Sequence, residues 1–258
     1  MDLNGPGWLE GTEWIGVAAA PFLGSFAAAA SRRFAEDEPF VAGRSSCDTC
    51  GTVLRAWELV PLVSWTAQGG RCAHCDAAIG WRALIVELAY LTVTGIAWLE
   101  TSGTIFWIGC LLGWTLLGLA LIDLETYLLP DAMTLPLIAV GLTVSAFLGR
   151  DIVFEHALAA ALGFLSLFAV AAIYRAVTGR DGLGMGDAKL FAATGAWIGL
   201  AALPGTLLLA AATGLVVELG RRILTGRGGR WQRLAFGPYL AFATWTGWIF
   251  GPLLPVDR

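Results

Sequence analysis

Gly182-Leu183-Gly184-Met185-Gly186-Asp187-Ala188-Lys189-Leu190 lies between two long apolar runs, and that placement decides the fold. If those runs cross a membrane, Asp187 stands at the edge of the hydrocarbon layer. A carboxylate at membrane depth costs roughly 2.5–3.5 kcal/mol on insertion scales, so it marks a functional site by default. Gly182, Gly184 and Gly186 permit positive φ and let a second backbone come close. Lys189, two residues further on, is the sole lysine of the chain. A matching site precedes it: Leu121-Ile122-Asp123 ends another apolar run and leads into Leu129-Pro130-Asp131. Two aspartates at the edges of different membrane helices suggest an aspartyl protease dyad. A Gly-rich turn before a helix also suits a plain N-cap role for Asp187, so the choice rests on the rest of the chain.

Composition supports the membrane. Of 258 residues, 57% are hydrophobic and 14% charged, against about 25% charged in soluble domains. This is an all-α polytopic membrane protein. Its twelve tryptophans suit interfacial belts and helix packing. The first 14 residues carry Asp2, Glu10 and Glu13 and no basic residue. A signal peptide needs a basic start, so they read as a short extracytoplasmic leader into the first span. Apolar runs follow at Trp14–Ala30, Ala83–Leu99, Thr104–Ile122, Ala132–Leu148, Ile152–Val177, Ala188–Leu200, Gly205–Leu219 and Leu234–Leu254. A bilayer demands about 17–25 residues, and the sixth and seventh runs are at or below that range. The reading is about eight transmembrane helices with one polar loop between the first and second. Residues 1–31 form the leader and first helix, 32–82 the loop, and 83–258 the peptidase domain.

Charge placement sets the orientation. With 32–82 in the cytoplasm and alternating sides thereafter, 14 of the 16 basic residues fall in cytoplasmic segments, all but Arg150 and Arg258. That satisfies the positive-inside rule. Fusing 188–219 into one span would put the basic 220–233 segment on the wrong side. Asp123 then ends the third helix and Asp187 begins the sixth, with two complete spans between them. Both carboxylates face the cytoplasmic boundary at similar depth.

The loop holds Cys47-x-x-Cys50 and Cys72-x-x-Cys75, with 21 residues between the pairs. Paired knuckles at this spacing read as a tetrahedral zinc site, and a reducing cytoplasm argues against disulfides. A redox pair or unliganded thiols are the alternatives. Zinc would fold a segment too small to build its own core. His74, inside the second knuckle, reads as an outer contact. Cys110 reads as a packing residue, and His156 receives no function.

Together these residues resemble the type IV prepilin peptidases, bifunctional leader peptidases and N-methyltransferases of bacteria, from about Pro21 to Gly251. Leu23-Gly24-Ser25-Phe26 is similar to the family's Gly-Ser-Phe motif, with Arg33 at a later arginine. Arg82 and Glu87 resemble its entry to the second helix. Asp123 through Asp131 resembles the first catalytic segment, Gly184–Leu190 the Gly-x-Gly-Asp-x-Lys signature, and Phe236-Gly237-Pro238 the last-helix motif. The resemblance implies that Asp123 and Asp187 are catalytic. It implies cleavage of prepilins or pseudopilins after a leader glycine on the cytoplasmic side of the inner membrane. Methylation of the new N-terminus by S-adenosylmethionine would follow. The pattern departs from the family at Ala28, at Phe34-Ala35 and at Ala83-Leu84, all in the N-terminal third. Those departures bear on methyl transfer, not on cleavage, and leave a cleavage-only enzyme open.

Two neighbouring carboxylates share one proton and titrate as a unit. That state suits hydrolysis, with the ionised group activating water and the protonated one polarising the carbonyl. Gly184 and Gly186 support the site by letting substrate lie extended beside Asp187. Lys189 either orients the pair, binds lipid phosphate or snorkels to the interface. Asp131 reads as a helix cap. Glu87, a carboxylate inside the second helix, needs a partner, either Arg82 or the new N-terminal amine during methyl transfer. Glu36-Asp37-Glu38 is the candidate contact for a basic leader. The partners are prepilin substrates and the lipid bilayer, with no nucleic acid. The rival from another class is a proton-coupled transporter using both aspartates.

Overall fold

The computed structural model describes residues 9, 11–37, 45–180, 182–225 and 234–251. Most of the leader, Glu38, and the basic residues Arg44, Arg227, Arg230 and Arg233 lie outside the described residues. Regular structure among the described residues is helical, apart from two isolated β-bridges in the cysteine loop. The helices are α1 (Glu13–Ala35), α2 (Val63–Ala67), α3 (Arg82–Glu100), α4 (Gly103–Thr126), α5 (Asp131–Leu148), α6 (Arg150–Thr178), α7 (Met185–Ile198), α8 (Leu203–Thr225) and α9 (Gly237–Phe250). Apart from α2, they match the eight apolar runs one for one.

Six of them, α1, α3, α4, α5, α6 and α8, are long and apolar enough to cross a membrane. The other two are short. α7 and α9 have 14 residues each, about 21 Å at 1.5 Å per residue, against a hydrocarbon layer of about 30 Å. The eighth run shrinks because Pro238 sits in the first turn of α9 and Gly251, at φ 85°, ends the helix. α4 stops where Tyr127 takes φ 55° and donates its amide to Asp123 O at 2.9 Å. Pro130, extended, then precedes α5.

Contacts divide the chain into two compact units, with the boundary inside α4 between Trp114 and Thr115. In the N-terminal unit α1 packs on α3. Gly24 allows it: a Cβ there would lie 2.8 Å from Glu87 Cα. Arg82 donates from Nη1 to Ala28 O and from Nη2 to Ser31 Oγ, each at 2.7 Å. At the other end Glu13 Oε1 accepts the Gly103 amide at 2.9 Å, capping the start of α4.

In the C-terminal unit α7 is the buried centre, packed against α5, α6 and α9. Asp187, Ala188 and every residue from Leu190 to Trp197 are buried. A helix apolar on all faces belongs in an interior, and small residues bring its neighbours close. A Cβ on Gly195 would meet Ala159 O of α6 at 2.5 Å, and one on Gly163 would meet Phe191 O at 2.8 Å. Trp197 lies over Gly141 of α5 and donates Nε1 to Leu137 O at 2.9 Å. Between α7 and α9, Thr194 and Thr244 pair hydroxyls at 2.7 Å, and Trp197 meets Trp248 edge to face. The far end of α7 is held from α6. Leu200 N donates to Glu155 Oε1 at 2.6 Å, and His156 Nδ1 lies 2.9 Å from Ala196 O.

Candidate active site and metal centre

Asp123 occupies the last turn of α4 and Asp187 the first turn of α7. Both are buried, and Asp187 interacts electrostatically with Asp123. Asp123 Oδ2 accepts the amide of Gly237, the first residue of α9, at 2.9 Å. The fit requires glycine, because a Cβ at position 237 would come within 2.7 Å of that oxygen. Asp187 Oδ1 is enclosed and has no hydrogen-bond partner among the described residues. Asp187 is not the helix cap. Gly184 holds that position, extended at φ −70° and ψ 142°, without a side-chain cap.

Of the two uses expected for these glycines, positive φ is not taken up, and close approach of a neighbour is. None of Gly182, Gly184 and Gly186 has positive φ; each is small because a neighbour is close. Gly186 lies inside α7, where a Cβ would come 2.8 Å from Leu129 Cβ. A Cβ on Gly184 would lie 3.2 Å from Asp187 Oδ2, and one on Gly182 would enter the Tyr174 ring. Gly186 thus seats the start of α7 against the segment that follows Asp123.

Lys189 and Asp131 find each other. Lys189 Nζ donates to Asp131 Oδ1 at 2.6 Å, tying the start of α7 to the start of α5. Asp131 is the first helical residue of α5, and Pro130 takes the cap position, so the capping role expected for Asp131 is replaced by this pair. With the Asp131 side chain 57% exposed, the pair is worth at most about 1 kcal/mol.

In the N-terminal unit, Cys47, Cys50, Cys72 and Cys75 bring four sulfurs within 4.8 Å of one another. Cys47 Sγ and Cys75 Sγ lie 3.8 Å apart. A tetrahedron with metal–sulfur bonds of about 2.3 Å has edges of about 3.8 Å, so the cluster suits zinc. The two knuckles repeat one turn. Gly51 N bonds Cys47 O and Asp76 N bonds Cys72 O, each at 2.9 Å, and Gly51 and Asp76 both take positive φ. Thr52, through its side chain and then its backbone, pulls the Cys50 thiol down to about 6. Cys75 goes the other way, to about 12: the Ala77 amide opposes the shift, and burial with the neighbouring sulfurs outweighs it. A cation among the four sulfurs would favour the thiolate form of each. His74 turns outward to Glu58 Oε1 at 3.0 Å, an outer contact.

Glu87 is buried on α3 and accepts the amide of Leu62 through Oε2 at 2.8 Å. Leu62, at φ 61° and ψ −47°, is the centre of a tight turn in which Val63 N bonds Pro61 O at 2.6 Å. The partner at Glu87 is a strained backbone in the cysteine loop, in place of Arg82, one of the two partners considered for it; the hydrogen bonds of Arg82 described above run to α1. Neither Leu62 nor Gly237 was singled out from sequence as a partner of a carboxylate. For Gly237 a signal existed, since Gly-Pro before an apolar run marks a helix start, and helix starts offer free amides.

Comparison with known proteins gives two adjacent family matches. Residues 19–101 match the bacterial peptidase A24 N-terminal domain, and residues 110–219 match the type IV leader peptidase family. A prepilin leader peptidase/N-methyltransferase of Pseudomonas aeruginosa is 42% identical over 212 residues, covering 80% of this chain and 71% of that protein. One from Stutzerimonas stutzeri is 40% identical, covering 80% and 72%. One from Neisseria gonorrhoeae is 38% identical, covering 80% and 69%. No solved structure matches the chain.

Proposed function

Because the chain belongs to the type IV leader peptidase family, we propose that it removes the leader of a type IV prepilin or pseudopilin, with Asp123 and Asp187 as an aspartyl dyad. The observation that carries this reading is a pair of buried carboxylates, 64 positions apart in sequence, in the last turn of α4 and the first turn of α7, with the charge of Asp123 acting on Asp187. One ionised carboxylate takes a proton from water as the water attacks the scissile carbonyl. The other, protonated, hydrogen-bonds the carbonyl oxygen and later protonates the leaving amine. The site faces the cytoplasm of a bacterial inner membrane, by the distribution of basic residues. A prepilin with a basic leader and an apolar helix would place its cleavage junction at that boundary.

Methyl transfer to the new amine belongs to the N-terminal unit, where Glu87 is the candidate group to accept the amine's proton. S-adenosylmethionine, when bound, would supply the methyl group. Cys47, Cys50, Cys72 and Cys75 would hold one structural zinc. The test is cleavage of a prepilin peptide by Asp123→Asn and Asp187→Asn in membranes that contain normal amounts of each variant. Each should lose activity by about a thousandfold or more, as removal of a catalytic group requires. Substantial processing by either one refutes the dyad.

A further inference from the structure

The two carboxylates are not equivalent. Asp187 lies in the first turn of α7, while Asp123 lies in the last turn of α4 and faces the first residue of α9, so helix ends of opposite sense meet at Asp123 and the dipoles do not decide between the two. Their immediate partners do. Asp123 Oδ2 is fixed by the Gly237 amide at 2.9 Å, in a seat closed to any side chain at position 237. Asp187 also accepts a backbone hydrogen bond, from Gly184, but its Oδ1 is enclosed without a donor. An ionised oxygen with no donor in a buried site is costly, and protonation removes that cost. The charge of Asp123 acts on Asp187, and Lys189 on the same helix is paired with Asp131.

We propose that the Gly237 amide holds Asp123 as the ionised base that activates water, and that Asp187 carries the proton and acts as the acid. This rests on the dyad reading above. Gly237 is a positioning residue, acting through Asp123. In the reaction Asp123 accepts a proton from water as the new C–O bond forms, and Asp187 gives its proton to the departing amine as the C–N bond breaks.

Infrared difference spectra of the purified full-length enzyme at neutral pH test the assignment directly. The band of a protonated buried carboxyl should vanish in Asp187→Asn and persist in Asp123→Asn. The reverse pattern overturns the proposal while leaving a dyad in place. Gly237→Ala gives an independent kinetic test. The added Cβ pushes Asp123 off its amide, so kcat should fall about tenfold with KM nearly unchanged. The acid limb of the pH–rate profile should move up by about one pH unit, the size expected for a lost hydrogen bond to a charged group. Gly214→Ala crowds the same helix at the Tyr239 ring, 3.1 Å away, without touching Asp123, and should leave that limb in place. An unmoved acid limb in Gly237→Ala, with Asp123→Asn inactive, overturns the positioning role alone. Normal cleavage by Asp123→Asn removes the dyad itself.

Discussion

Replacing Glu87 separates chemistry from architecture, because two substitutions remove different things. The Glu87 carboxylate accepts the Leu62 amide at 2.8 Å, and Leu62 sits at φ 61°, a conformation that costs a non-glycine residue about 1–3 kcal/mol. A buried hydrogen bond to a charged acceptor contributes about 1.5–3 kcal/mol, so the bond roughly offsets the strain of the turn. Glu87→Gln keeps an acceptor oxygen in place. A neutral acceptor is about half as strong as a charged one, so it should cost about 1 kcal/mol, with the cysteine loop intact. Glu87→Ala leaves the amide unsatisfied and should cost about 3 kcal/mol, loosening the loop. If Glu87 accepts the proton of the incoming amine, Glu87→Gln should cut the leader at nearly the wild-type rate yet leave the product amine largely unmethylated. Mass spectrometry of the mature pilin reads the two events as separate mass changes. A fully methylated product from Glu87→Gln would leave Glu87 with a structural role only. Loss of cleavage along with methylation would refute the separation of the two activities.

The purified protein should carry about one zinc per chain, lost when Cys47, Cys50, Cys72 or Cys75 becomes Ser; methylation should then fall more than cleavage. Absence of metal after reducing, chelator-free purification would refute the site. Gly195→Val should destabilise the C-terminal unit by about 1–3 kcal/mol through overpacking against Ala159, seen as a lower unfolding temperature in detergent. Gly95→Ala, on α3 with open space around it, should be neutral.

The helices were legible because membrane spans are written in length and hydropathy, and the apolar runs need no tertiary knowledge to be seen. The cysteine cluster was legible because each knuckle is local, with both of its ligands inside one turn. The contacts around the carboxylates left no such trace. Gly237 reaches Asp123 across 114 positions, and Lys189 reaches Asp131 across 58, with no periodic pattern to announce either. Asp131 looked like a cap because it follows a proline at a helix start. Its actual partner is a lysine whose reach depends on how α7 packs beside α5. The glycines before Asp187 suggested backbone freedom, but sequence cannot distinguish a glycine needed for its φ from one needed for its size.

The parallel register of α7 and α9 has a consequence for how water arrives. Asp187 and Gly237 each precede their paired threonine, Thr194 or Thr244, by seven residues, so both short helices begin at one level. Each falls about 9 Å short of the hydrocarbon thickness. If their distal ends, at Gly199 and Gly251, reach the opposite surface, both shortfalls lie on the side of the carboxylates. Two adjacent helices that stop early leave a shallow well in the slab on that side. Bulk solvent could then stand directly over Asp123 and Asp187 without a pore, and a peptide bond would need to descend only about two helical turns to be hydrolysed within the membrane's thickness.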